Sequence, residues 1–104
     1  AIIVVRLNAG HPIFAAHFPG RPILPGVCMV HIAQAIAERM HGNVLAIRTA
    51  RSIKFLAPVN PNTMPELHFY VCLSADADAL RIDAQVYVGN IVVMKLKASA
   101  ASVS

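Results

Sequence analysis

Residues 17–27 read His17-Phe18-Pro19-Gly20-Arg21-Pro22-Ile23-Leu24-Pro25-Gly26-Val27 and run without a break into an apolar stretch that ends at Met40. The three prolines restrict φ, remove backbone donors and keep the segment out of a helix. Residues 27–40 are helix formers with neither glycine nor proline among them, and Gly42-Asn43 supplies a stop just beyond. The stretch therefore predicts a stiff loop that delivers His17 to the start of a helix. At that point the first backbone N–H groups lack intrahelical acceptors, so a titratable imidazole stands beside a row of free donors. Such a pairing predicts a site for chemistry.

Within the helix only His31, Gln34 and Glu38, with Arg39 beside them, interrupt the apolar surface, and they do so at helical spacing. The expectation is a helix buried on most sides with one narrow polar edge. The rest of the chain reads as strands. Residues 2–7 are a β-branched run, 8–12 a turn, and 13–16 a short apolar lead-in to the proline loop. Strands are expected at 44–56, bent near Ala50, and at 66–74, 80–88 and 91–100. Alternation is clearest where Leu80, Ile82, Ala84, Val86 and Val88 interleave with Arg81, Asp83, Gln85 and Tyr87. Gly89-Asn90 fits a two-residue hairpin. One helix followed by an antiparallel meander predicts a single α+β domain over residues 1–104, with the sheet wrapped round the helix.

Composition sets the outer limits. Of 104 residues 57% are hydrophobic and 13% charged, against about 25% charged in ordinary soluble domains. So much apolar side chain in a short chain points to an interface or a lipid-binding groove. The longest apolar stretch, 23–37, is too short to span a membrane and contains His31 and Gln34. No signal peptide is visible, although the chain opens inside a strand. The net charge is +4, but the nine lysines and arginines are scattered singly with no aromatic stripe between them. That pattern argues against nucleic acid and fits steering of an acidic partner. Cys28 and Cys72 lack the spacing of a metal or redox motif, so both are expected to be reduced and buried, as in a cytoplasmic protein, and they imply no metal and no cofactor.

The segment His17-Phe18-Pro19-Gly20-x-Pro22-x-x-Pro25-Gly26-Val27 resembles the active-site segment of the β-hydroxyacyl-(acyl carrier protein) dehydratases, a hotdog-fold family. Ile53-Lys54-Phe55-x-x-Pro58-Val59-x-Pro61 is similar to that family's strand after the helix, and Val88-Gly89 with Val93-x-Lys95 to its closing hairpin. The resemblance implies a dimer, or a dimer of dimers, whose sheets join, with an acyl tunnel at each shared interface. It implies dehydration of 3-hydroxyacyl chains carried on acyl carrier protein. It also implies that His17 is the catalytic histidine, that the N–H at Gly26 polarises the thioester carbonyl, and that the second catalytic group comes from the partner's helix. There the family has a carboxylate and this chain has His31, fourteen residues beyond His17.

Removing water from a 3-hydroxyacyl thioester needs a base for the C2 proton, an acid for the departing hydroxyl and a donor for the charge growing on the thioester oxygen. His17 can be the base, the Gly26 N–H the donor at the positive end of the helix, and His31 the acid. Each has a plainer alternative: a loop histidine bonded to backbone, a glycine that permits a tight turn, a residue on a solvated helix edge. Gln34 and Glu38 would continue that edge, His11 and His68 would lie on the surface, and Cys28 would be a packed thiol. Two other functions fit the same residues. One is a thioesterase, for which Glu38 is the sole helix carboxylate; the other is an acyl-binding subunit that has lost its acid.

Overall fold

The computed structural model describes residues 1–8, 10–11, 23–76 and 79–102. The elements in chain order are β1 (Ile2–Arg6), α1 (Gly26–His41), β2 (Leu45–Phe55), β3 (Glu66–Asp76), β4 (Ala79–Val88) and β5 (Ile91–Ser102). The strands form one sheet in the order β1-β3-β4-β5-β2, and every neighbouring pair is antiparallel. The meander β3-β4-β5 is the centre, while β1 and β2 are its edges. This is the α+β arrangement that the sequence predicts, and it accords with the hotdog fold that the resemblance implies.

Parity along the strands decides which side chains meet the helix. Leu67, Phe69 and Val71 of β3, Ile82, Ala84 and Val86 of β4, and Met94, Leu96, Ala98 and Ala100 of β5 are all buried. They alternate with an outer row that includes Tyr70, Cys72, Asp83, Gln85, Lys95 and Lys97. On the helix Met29, Ala33, Ile36 and Ala37 complete the core, and the two alanines let the sheet come close.

Three expectations need correction. The helix is not buried on most sides. Val27, His31, Ala35 and Arg39 form an exposed stripe along it, because a single sheet covers only one flank of a helix. Cys72 is exposed rather than buried, since β3 directs the odd positions Leu67, Phe69 and Val71 inward and therefore turns residue 72 outward. Gln34 and Glu38 are half-buried rather than part of a solvated edge.

Local chemistry explains the ends and bends. Gly42 closes α1 in the left-handed region at φ 84°, and its N–H reaches the Glu38 carbonyl at 2.8 Å. In β2 the register slips between Ile47 and Thr49 and again between Ala50 and Ser52, so Arg48 and Arg51 are bulge residues on either side of the bend expected near Ala50. Val88 and Ile91 pair across Gly89-Asn90, as a two-residue hairpin requires. No helix among the described residues is long and apolar enough to cross a membrane.

Candidate active site

Three tethers hold the start of α1. The Leu24 N–H donates to the Val59 carbonyl at 2.8 Å, fastening the residues before the helix to the loop after β2. Leu56 donates to the Val93 carbonyl at 2.9 Å and keeps that loop on the sheet. Cys28 donates to the Pro25 carbonyl at 3.0 Å and closes the first turn. Leu24 and Val59 are both buried, so these polar links are sealed by apolar packing.

Between the two tied segments lies an open cavity of about 450 Å³, within the size range of small-molecule sites. Its walls are Ile23, Leu24, Pro25, Gly26, Val27 and Met29 on one side and Phe55, Leu56, Ala57 and Pro58 on the other. No described wall residue has a polar side chain. Polarity enters only through the backbone, where Gly26 opens the helix and its N–H has no intrahelical acceptor. The first turn holds no acidic residue and Pro25 makes no side-chain cap, so the positive end of the helix is uncompensated. An apolar trough that includes the first turn of a helix in its wall suits a hydrocarbon chain with a carbonyl at its head.

Gly26 also shows why it is glycine. It is helical, and among the described glycines only Gly42 and Gly89 have positive φ, so no special backbone conformation is required. A Cβ at residue 26 would instead lie 2.6 Å from Cε1 of Phe55. Close approach of that ring, rather than a tight turn, opposes a side chain here, which would have to displace the ring. The structure likewise separates two phenylalanines that sequence treats alike. Phe69 is fully buried in the core, whereas Phe55 is 53% exposed at the cavity.

His17 lies outside the described residues, as do Phe14, Phe18 and Arg21. His31 is exposed on α1, five residues past Gly26. It is therefore about 7–8 Å further along the axis and roughly 140° round from Gly26, and it is absent from the described cavity wall. Within one chain Gly26 and His31 do not meet. His11 is exposed, and His68 lies on the outer sheet face opposite Tyr87.

Sequence reasoning missed a polar pair beside the cavity-bearing helix. Glu38 Oε2 accepts the Leu45 N–H and Gln34 Nε2 donates to the Leu45 carbonyl, each at 2.8 Å. Leu45 opens the edge strand β2, so its outward backbone groups would otherwise be bare. The i, i+4 spacing of Gln34 and Glu38 was the available signal; their target could not be read. No cluster of three or more His, Cys, Asp or Glu suited to a metal ion exists among the described residues.

The family described as ApeI-like, ApeI dehydratase, matches residues 1–88. The chain belongs to the ApeI-like dehydratase family. Among curated proteins it is similar to the 3-hydroxyacyl-(acyl-carrier-protein) dehydratase FabZ of Rhizobium rhizogenes strain K84, 36% identical over 75 residues that cover 65% of this chain and 48% of the relative. It is also similar to FabZ of Wolbachia sp. subsp. Drosophila simulans strain wRi, 40% identical over 65 residues that cover 56% and 46%. The chain spans about half the length of these curated relatives.

Among solved structures, the dehydratase heterocomplex ApeI:P of Xenorhabdus doucetiae superimposes with a TM-score of 0.76 at 19% identity, covering 96% of this chain and 85% of that one. The (R)-hydratase of A. caviae involved in PHA biosynthesis gives 0.71 at 16% identity, covering 99% and 93%. An acyl-CoA hydrolase of Staphylococcus aureus gives 0.64 at 14% identity, covering 100% and 64%. These likenesses carry the hotdog fold. That a hydrolase is among them accords with one fold hosting several activities.

Proposed function

We propose that this ApeI-like chain removes water from 3-hydroxyacyl thioesters carried on acyl carrier protein and releases the 2-enoyl thioester, in fatty acid or related lipid biosynthesis. The observation that carries the reading is the apolar cavity with Gly26, the first residue of α1, in its wall, in a chain whose histidine motif leads directly into that helix. The acyl chain lies along the apolar walls and its thioester oxygen accepts the Gly26 N–H. Charge that develops on this oxygen as C2 loses its proton is stabilised by the donor and the helix dipole. His17, as neutral imidazole, takes the C2 proton. The C3–O bond breaks, the hydroxyl leaves as water with a proton from the second catalytic group, and the electron pair from C2 becomes the C2=C3 double bond.

That second group is His31 of a partner copy. His31 is exposed beside Val27 and Ala35, and β2 is an edge strand at which pairing of two copies would join their sheets. A homodimer in the cytoplasm, with reduced thiols at Cys28 and Cys72, is the assembly this supports. Thioester hydrolysis is the weaker reading on one specific ground: Glu38, the helix carboxylate it would use, is engaged by the Leu45 N–H.

The test follows enone absorbance with 3-hydroxyacyl and 2-enoyl thioesters and titrates released thiol in parallel. Dehydration without thiol release, abolished in His17→Ala, is expected. Thiol release by the parent would make the chain a thioesterase. Tight binding of acyl thioesters with no turnover would make it an acyl-binding subunit.

A further inference from the structure

Phe55 lies at the head of the cavity without a part in the proton transfers. A Cβ on Gly26 would fall 2.6, 2.7 and 2.9 Å from its Cε1, Cζ and Cδ1, so one edge of the ring rests directly on the Cα of Gly26. Backbone conformation does not demand glycine there, because the φ of Gly26 is not in the left-handed range. Glycine and ring are a matched pair. The ring is 53% exposed and outside the buried core, so packing of the fold does not require it.

We infer that Phe55 is a specificity-determining residue whose ring edge forms the wall facing C2 of the bound thioester, admitting an unbranched C2 and rejecting a branched one. This rests on the proposed function, which sets the thioester oxygen on the Gly26 N–H. An oxygen held there lies about 2.9 Å from the nitrogen. The carbonyl carbon is about 1.2 Å beyond and C2 one bond further, which brings C2 to roughly 5 Å from Gly26. The ring edge occupies the same shell around that residue. Because Phe55 is also a wall of the cavity, a substituent on C2 that points toward β2 approaches its ring.

Two consequences distinguish this wall from a merely structural phenylalanine. Phe55→Ala opens space beside C2, so the preference for straight over 2-methyl-branched 3-hydroxyacyl thioesters should fall about tenfold or more, the usual scale of discrimination for one methyl group in an apolar pocket. Phe55→Leu should lie between. Gly26→Ala keeps the N–H donor but drives its Cβ into the ring, so its loss of activity should be relieved by adding Phe55→Ala to the same chain.

The experiment measures kcat/KM for straight and 2-methyl substrates with the parent, Phe55→Ala, Phe55→Leu, Gly26→Ala and the double variant. Circular dichroism confirms folding of each. A shifted preference with recovery in the double variant is the expected result. An unchanged preference in Phe55→Ala, with a double variant no better than Gly26→Ala, overturns the inference. Should the parent turn over neither substrate, the functional reading fails and calorimetry decides the role of Phe55 separately. Straight and 2-methyl acyl pantetheine amides, which cannot eliminate water, then report the affinity ratio. A fall in that ratio in Phe55→Ala sustains the wall, and an equal ratio removes it.

Discussion

Gln34 and Glu38 satisfy both outward backbone groups of Leu45, at the point where β2 leaves the loop after the helix. Truncating Glu38 to alanine strands a part-buried N–H, and urea unfolding should register a loss of about 1–2 kcal/mol. Glu38→Gln keeps an acceptor oxygen and should lose less than half of that. Turnover in Glu38→Gln should stay within about twofold of the parent, since a displaced structural clamp lacks the 10²-fold or larger effect of a lost proton donor. His31 sits on the same helix with the opposite expectation. If it protonates the leaving hydroxyl, His31→Ala should slow dehydration by about 10² to 10⁴, whereas His31→Glu, which places a carboxylate where the resembled family has one, should keep or raise the rate. Equal turnover in His31→Ala and the parent would leave His31 an ordinary residue of the helix surface.

At the scale of elements, α1 ends where it does because Gly42 adopts a conformation that side chains resist. Gly42→Ala should destabilise the fold by about 1–2 kcal/mol in thermal or chemical unfolding, with no effect on the affinity for acyl chains, because Gly42 is at the end of the helix away from the cavity. The six elements among the described residues were legible to within a few residues from β-branched runs, alternation and glycine stops. The bend in β2 was legible as well, but its cause was not. The bulges at Arg48 and Arg51 arise from register against β5, a property of two strands rather than one. The outward turn of Cys72 is of the opposite kind: Leu67, Phe69, Val71 and Leu73 alternate with Glu66, His68, Tyr70 and Ser74, so the parity of β3 alone places residue 72 on the outer face.

At the scale of the whole molecule, the apolar excess reappears as exposed surface, at Val27, Ile53, Phe55 and Leu56 near the cavity and β2 and at Ile2, Ile3 and Val4 on the opposite edge β1. Sedimentation should therefore give about twice the 11.1 kDa of one chain. Ala35→Glu on the exposed helix stripe should shift the protein toward monomer and reduce turnover together; a stable, fully active monomer would overturn the shared site. Charge adds a second global feature. Lys54 of β2 stands directly across from Lys95 of β5, with Lys97 two residues on, and neither strand contains a carboxylate. Like charges opposite each other disfavour the fold slightly and raise the local potential. Acyl carrier protein should accordingly bind more weakly as salt rises, and Lys54→Glu with Lys95→Glu should weaken it further at low salt.

The sequence by itself determined the α+β class and the places of the described helix and strands, and it named His17, Gly26 and His31 as candidates for base, donor and acid. Those follow from local rules: proline and glycine constrain their own backbone, alternation sets the faces of a strand, and a motif sets spacing along the chain. Tertiary structure decided what those residues touch. It put the Phe55 ring on Gly26, bound Gln34 and Glu38 to Leu45, and kept His31 away from the cavity of its own chain. Each of these depends on how separate elements are set against one another, and the free energy that selects that arrangement is summed over the whole core rather than written in any one segment.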